Sequence, residues 1–377
     1  MTALKCMGCV VLLCVGLTVP VSAQTTDELY QQQLEAGGAT HLRDSVPQDS
    51  LRLMDELGVG DLQEFHPPTL NEVLALLGEL LGSVAGAPVA ACGTVLGTVV
   101  LYAWVDGMRH TLRSDDSAVV FGSICALAAC GAVMLPLADV IRDVSRAMDS
   151  VSVFMTGFIP VYGSILVGGG FSGTATGFQT TVLASAEVLS YLAGFVIVPL
   201  LTVSLAMGLT GTLTPDLKLG RIGSLTGKVA TWILTFGMVI FSGVLSMQSL
   251  VGGAADRLTD KALRFSVSHL VPVVGGSVGE AFSTVRGCLR LLRSTVGCFG
   301  VVATALIVLP PLLSCVVWNV MLTVSETAAD IFGLSTFSEL LKTSRGVVKC
   351  LIGVLTVSGL LLTVSLTVIS LALGGVT

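Results

Sequence analysis

An all-α, polytopic helical membrane protein carrying a small exported helical domain is the fold class this sequence predicts, on three observations. Hydrophobic residues make up 53% of the 377 and charged residues only 12%, with a mean hydropathy of +0.89, more apolar surface than a soluble core can hide. The stretches 80–105, 117–138, 150–186, 188–215, 229–255, 265–279, 294–325 and 350–377 hold no charged residue, and a bilayer core is crossed by about 20 helical residues. Glycine is abundant, at 43 residues, while aromatics make up only 6%; this suits helices packed through small residues, not barrel strands with aromatic girdles.

Residues 1–23 read as a secretory signal peptide. Lys5 supplies the positive start, Cys6 to Val19 the apolar run, and Val21-Ser22-Ala23 a small-residue cleavage site. The alternative is an uncleaved anchor; either one exports the segment after it. Residues 24–80 are of a different kind, with eleven carboxylates against Arg43 and Arg52. SLRLMDELG (50–58) and TLNEVLALLGELL (69–81) predict amphipathic helices, capped by Asp49 or Ser50 and by Thr69, with breaks at Gly37-Gly38 and Pro67-Pro68. Few large apolar groups make a weak core, so a helical contact module is expected here, not an enzyme domain. Of the ten cysteines, Cys6, Cys9 and Cys14 fall in the signal peptide and most others in apolar runs, so no structural disulfide is expected.

Residues 81–377 form the multi-span membrane domain. The run 294–325 exceeds one untilted crossing, and Pro310-Pro311 at its middle predicts a kink. The run 150–186 must turn, within GGGFSGTATG (168–177). FIPVYG (158–163) is echoed by LVPVVG (270–275); each follows a charged stretch (139–149 and 256–264) and leads to a Phe-Ser pair. The echo predicts duplicated units at about 117–210 and 229–325, as in folds built from repeats with interrupted helices. Six full spans are expected, plus two interrupted segments marked by Pro160 and Gly163 and by Pro272 and Gly275. If both segments re-enter, the loops with Lys218, Arg221 and Lys228 and with Lys342, Arg345 and Lys349 are cytoplasmic, as the positive-inside rule prefers. Arg286, Arg290 and Arg293 then lie on the wrong side. If both cross, the loops swap sides.

Gly169, Gly173 and Gly177 recur every fourth residue, as do Gly93 and Gly97, a spacing that lets helix backbones approach, within the subunit or between subunits. Glu187 is the lone charge between two long apolar runs, either an intramembrane polar site or an interfacial residue. Arg286, Arg290 and Arg293 fall on one helical face suited to anionic lipid headgroups. Ser172 and Ser277 sit in G-x-S-G and G-x-S-x-G patterns, but of the four histidines only His269 lies in an apolar run, and a serine nucleophile needs a base. Basic residues are too few for nucleic-acid binding, and no metal, cofactor or phosphate-binding motif is present. On residues alone, an assembly subunit, a transporter of duplicated units with Glu187 near its pathway, and an intramembrane serine hydrolase all remain open.

SMQSLVGGAADRLTDKALRFSVSHLVPVVGGSVGEAF (246–282) resembles the central motif of the stage III sporulation protein AE family of endospore-forming bacteria: a Q-G-A-type stretch, a D-G-x-x-x-R-T-x-K-F run, then I-P-V-x-G. FMTGFIPVYGSILVGGGFSG (154–173), PLLTVSLAMGL (199–209) and KLGRIGSLTGKV (218–229) support it, though Ser268 and His269 replace the family's glycine and asparagine. The resemblance implies a non-enzymatic component of a channel or secretion-like complex linking mother cell and forespore. It also implies other stage III A membrane proteins as partners, a place in the mother-cell membrane around the forespore, and the exported domain between the two membranes.

Overall fold

The computed structural model describes residues 31, 34–35, 37–60, 68–109, 115–213, 219–270 and 275–374, so the expected signal peptide lies outside the described residues. Every regular element among the described residues is helical. The N-terminal module has Gly38 in the left-handed region (φ 71°), followed by two short 3-10 turns, Ala39–His41 and Arg43–Ser45. Helix α1 (Gln48–Glu56) starts two residues before the stretch expected from sequence. Pro47, not Asp49 or Ser50, stands at its N-cap; the fixed φ of proline sets the entry into the helix, and Asp49 lies in the first turn, where the helix dipole favours it. The Arg43 guanidinium donates to both Asp55 carboxylate oxygens at 2.9 Å and to the Gly60 carbonyl at 3.2 Å, tying the turns to the end of α1. Leu34, Ala39, Leu42, Val46, Met54 and Val59 are buried apolar side chains of this module.

Helix α2 (Leu70–Val84) opens on Thr69 as the sequence predicts, and the Thr69 N–H donates to the Glu72 carboxylate at 2.9 Å in a capping box. A 45° bend leads into α3 (Gly86–Arg109). Long helices follow: α4 (Asp115–Gly168), α5 (Ser172–Tyr191), a wide π turn (Leu192–Ile197), α6 (Val198–Leu213), α7 (Leu219–Leu270), α8 (Gly275–Ile331) and α9 (Ser335–Gly374). At 1.5 Å per residue, α4, α7 and α8 each run about 80 Å. Among the described residues, five apolar helical stretches are long enough to cross a membrane: Gly131–Gly168, Ser172–Gly208, Lys228–Asp256, Gly287–Ile331 and Phe337–Thr367; the bent pair α2–α3 makes a sixth if it counts as one span.

Two sequence expectations differ from this arrangement. Pro160 and Gly163 do not interrupt a helix: α4 runs through Pro136 and Pro160 and ends at Gly168. The chain reverses at Gly169–Phe171, inside the stretch where a turn was expected, with Gly170 at φ 87°. In the echoed segment α7 stops at Leu270, Pro272 lies outside the described residues, and Gly275 opens α8. The charged stretch 139–149 is the middle of α4, not a separate surface helix. Helix α8 is also continuous through Pro310 and Pro311, where the sequence expects a kink and not a break. A proline has no N–H, so these four leave the carbonyls of Ala132, Thr156, Leu306 and Ile307 without their helical donor; a helix survives this where neighbouring helices brace it.

The helices share two ends. At one, α3 meets α4, α6 meets α7, and α8 turns into α9 through Gly333 (φ 72°). A Cβ on Gly208 would lie 3.2 Å from Thr343 there, and Cys92 Sγ is 3.4 Å from Ser325 Oγ. Arg109, Arg221 and Lys342 fall at this, the basic end, alongside Asp115, Asp330 and Glu339. At the other, the glycine end, the turn Gly169–Phe171 meets α7 and α8. Between them is a waist, where Ser190 of α5 reaches Asp149 of α4 at 3.5 Å and a Cβ on Gly359 would lie 3.8 Å from Val308.

Candidate functional site: a capped glycine joint

At the glycine end the N-terminus of α5 is pressed onto α7. A Cβ on Gly252 would come within 2.9 Å of the Thr174 backbone nitrogen and Cα, and one on Gly173 within 3.2 Å of the Gly252 carbonyl. Only a pair of glycines permits that backbone approach. The contact lets Asp256, 4% exposed, reach the first turn of α5. Its Oδ1 accepts from Gly173 N–H at 2.8 Å and its Oδ2 from Thr174 N–H at 2.9 Å. These are donors that no helical carbonyl serves, and the helix dipole adds to the attraction for a carboxylate. One turn further along, Gly177 faces Gln248, whose Oε1 accepts from the Thr181 hydroxyl.

Behind the joint runs a buried aromatic ladder. Phe154, Phe158 and Tyr162 stack along α4 at centroid spacings of 5.5 and 5.6 Å, and Phe178 of α5 meets Tyr162 edge-on at 5.3 Å. Gly297 and Gly300 of α8 leave room for these rings, since a Cβ on either would meet Tyr162 or Phe158. Arg293 stands 5.9 Å from the centroid of the Phe171 ring, a cation–π contact that holds α8 to the turn.

The residues singled out from sequence divide accordingly. Gly173 and Gly177 line the joint; Gly169 belongs to the turn itself, where a Cβ would meet Phe171 at 3.3 Å. Gly163 leaves space for Gln179, which donates to the Pro160 carbonyl at 3.5 Å. A Cβ on Gly93 or Gly97 would meet nothing within 4 Å, so neither packs within the subunit. Glu187 is exposed on α5, one turn from Ser190 at the waist. Arg290 is exposed while Arg293 is partly buried, and the Arg286 side chain lies outside the described residues. Ser172 is exposed at the start of α5, and the Ser277 and His269 side chains lie outside the described residues. No group of three metal-ligating side chains occurs among the described residues.

Two features escape sequence reading. Near the basic end, Glu326 of α8 is buried and pairs with Arg345 of α9 at 2.8 Å, while Lys342 lies 3.6 Å from Asp330. Opposite charges flanking Gly333 between two apolar runs were the only available signal. At the waist, a cleft of about 360 Å³ separates α1 from α4 and α8, with Asp49, Ser50, Asp143, Arg146, Pro310 and Pro311 among its lining residues. Its two prolines were read as a kink, and nothing in sequence brings α1 to them.

Comparison with known proteins gives two matches. The family model described as Stage III sporulation protein AE (spore_III_AE) matches residues 62–372. The Stage III sporulation protein AE of Bacillus subtilis (strain 168) is 24% identical over 217 residues, which are 56% of this chain and 54% of that protein. The alignment thus spans about half the length of the curated relative. No solved structure matches.

Proposed function

Because the chain belongs to the Stage III sporulation protein AE family, we propose that it is a non-enzymatic, multi-pass membrane subunit of a multi-protein sporulation complex. The family match over residues 62–372 carries this reading, on a chain whose described helices include five or six long and apolar enough to span a membrane. In the finer proposal it sits in the mother-cell membrane around the forespore with its acidic module between the membranes, and assembles with other stage III A proteins into a channel or secretion-like apparatus. The open faces at Gly93 and Gly97 support assembly, since small residues without an internal neighbour leave α3 free to take a partner helix. The carrier alternative needs Glu187 to face an enclosed pathway, and it is exposed.

The test is affinity purification from sporulating cells in mild detergent. The native chain should bring down other sporulation membrane proteins, and Gly93→Leu with Gly97→Leu should weaken that recovery while leaving the protein level unchanged. A chain that purifies alone and moves a solute across liposomes, losing that activity on Glu187→Gln, would replace this reading with the carrier.

A further inference from the structure

The cleft of about 360 Å³ at the waist lies where α1, the end of α2, α4 and α8 meet. Sites that hold small molecules run from about 300 to 1,000 Å³, so this one suits a compact ligand. Its lining combines three chemistries.

The first is a pair of backbone acceptors. Ile307, Pro310 and Pro311 of α8 line the cleft. Neither proline has an N–H to give, so the carbonyls of Leu306 and Ile307 lack their helical donors. Both residues are buried, at 4% and 5% exposure, and a buried acceptor needs a donor from elsewhere. Carbonyls freed where a helix is irregular hold cations at the binding sites of other membrane proteins.

The second is acidic. Asp49 of α1 and Asp143 of α4 both line the cleft and are both exposed, so their carboxylates stand at its rim. Among the described lining residues Arg146 is the one cation, and Asp143 already accepts from it at 2.8 Å. The rim therefore keeps a net negative charge. The third is an apolar wall, to which Leu53 and Ala147 belong. Acceptors outnumber free donors throughout, and an anion would meet two carboxylates with one guanidinium that is already engaged.

We propose that this cleft binds a small linear diamine. One ammonium sits at the rim between Asp49 and Asp143, the methylenes lie along the apolar wall, and the second ammonium gives its N–H groups to the Leu306 and Ile307 carbonyls. A ligand with charge and donors at both ends and an apolar middle answers all three chemistries. The proposal does not depend on the assembly reading above.

Equilibrium dialysis of radiolabelled 1,5-diaminopentane against the full chain in mild detergent tests it, and saturable binding is expected. Pentane-1,5-diol should not compete. The diamine methylated at both nitrogens to its quaternary form keeps the charge but has no N–H, and should compete roughly tenfold less well. Asp49→Asn should weaken binding roughly tenfold, the worth of one hydrogen bond to a charged group. Arg146→Gln should tighten it, because Asp143 loses its competitor. Pro310→Ala with Pro311→Ala returns two N–H donors to α8 and should weaken binding roughly tenfold without removing a charge. Alanine favours the helix, so a loss of binding in that variant is not a loss of fold. Absence of saturable binding, equal competition by the diol, or unchanged affinity in either the Asp49→Asn or the double-proline variant overturns the proposal.

Discussion

Asp256 shows how much one side chain can decide. It is buried, and its two oxygens accept the N–H groups of Gly173 and Thr174, so Asp256→Asn sets an amide donor against a backbone donor. The expected loss is roughly 2 kcal/mol, from a hydrogen bond to a charged group, read as a lower midpoint of thermal unfolding in detergent. Gly252→Val should cost about 1–3 kcal/mol, because its Cβ would press on the Thr174 backbone, which cannot move aside as a flexible side chain could. Gly93→Ala and Gly97→Ala should behave in the opposite way: the space around them is open, and replacing glycine inside a helix gains about 1 kcal/mol. Ser172→Ala should leave sporulation intact, because Ser172 occupies an exposed turn position; a sporulation block at normal protein level would restore the hydrolase reading. The residue types of the joint were legible in sequence, since glycines four apart announce close packing. Their partner was not: Asp256 lies more than eighty positions from Gly173, and no local pattern links them.

At the scale of elements, α8 and α9 form a hairpin whose two arms meet through Glu326 and Arg345. Breaking a buried pair leaves one charge without compensation, so Glu326→Gln should destabilise by roughly 3 kcal/mol. Glu326→Gln together with Arg345→Gln should recover most of that loss, measured by the same unfolding midpoint; a double variant worse than the single would assign the cost to something other than the pair. Element boundaries were read well where a cap marks them, as at Thr69, and poorly around proline. Pro160 reads as an interruption because proline breaks a helix in water. In α4 the helix passes through it, held by packing on α5, where Gln179 reaches the Pro160 carbonyl. The break comes instead where Gly170 takes a positive φ. Glycines supplied the better turn signal here because left-handed backbone is available to them almost alone.

For the whole molecule, composition was enough to read an all-helical membrane protein, and the charge-free runs gave its approximate number of crossings. Which part of each run meets lipid could not be read from hydropathy, because the interior of a helical bundle and the core of a bilayer select the same side chains. Residues 301–308 of α8 are almost wholly buried among other helices, yet they score like the exposed residues around Trp232. Charge was the better guide. The stretch 139–149 reads as a surface helix in sequence, and in the structure it is a ring at mid-height on a helix that continues past it.

That continuity has a mechanical consequence. Helix α4 passes the waist without a break, so the α4–α5 hairpin is not hung on a flexible linker. It is a rigid post whose height is fixed by the residues between Ser150 and Gly168, about 28 Å of helix. Whatever seats on its tip is held at that distance from the waist, and any tilt of the helix before Ser150 is passed to the tip undiminished. In an assembly, such posts would act as a gauge that sets one distance between waist and tip for every subunit.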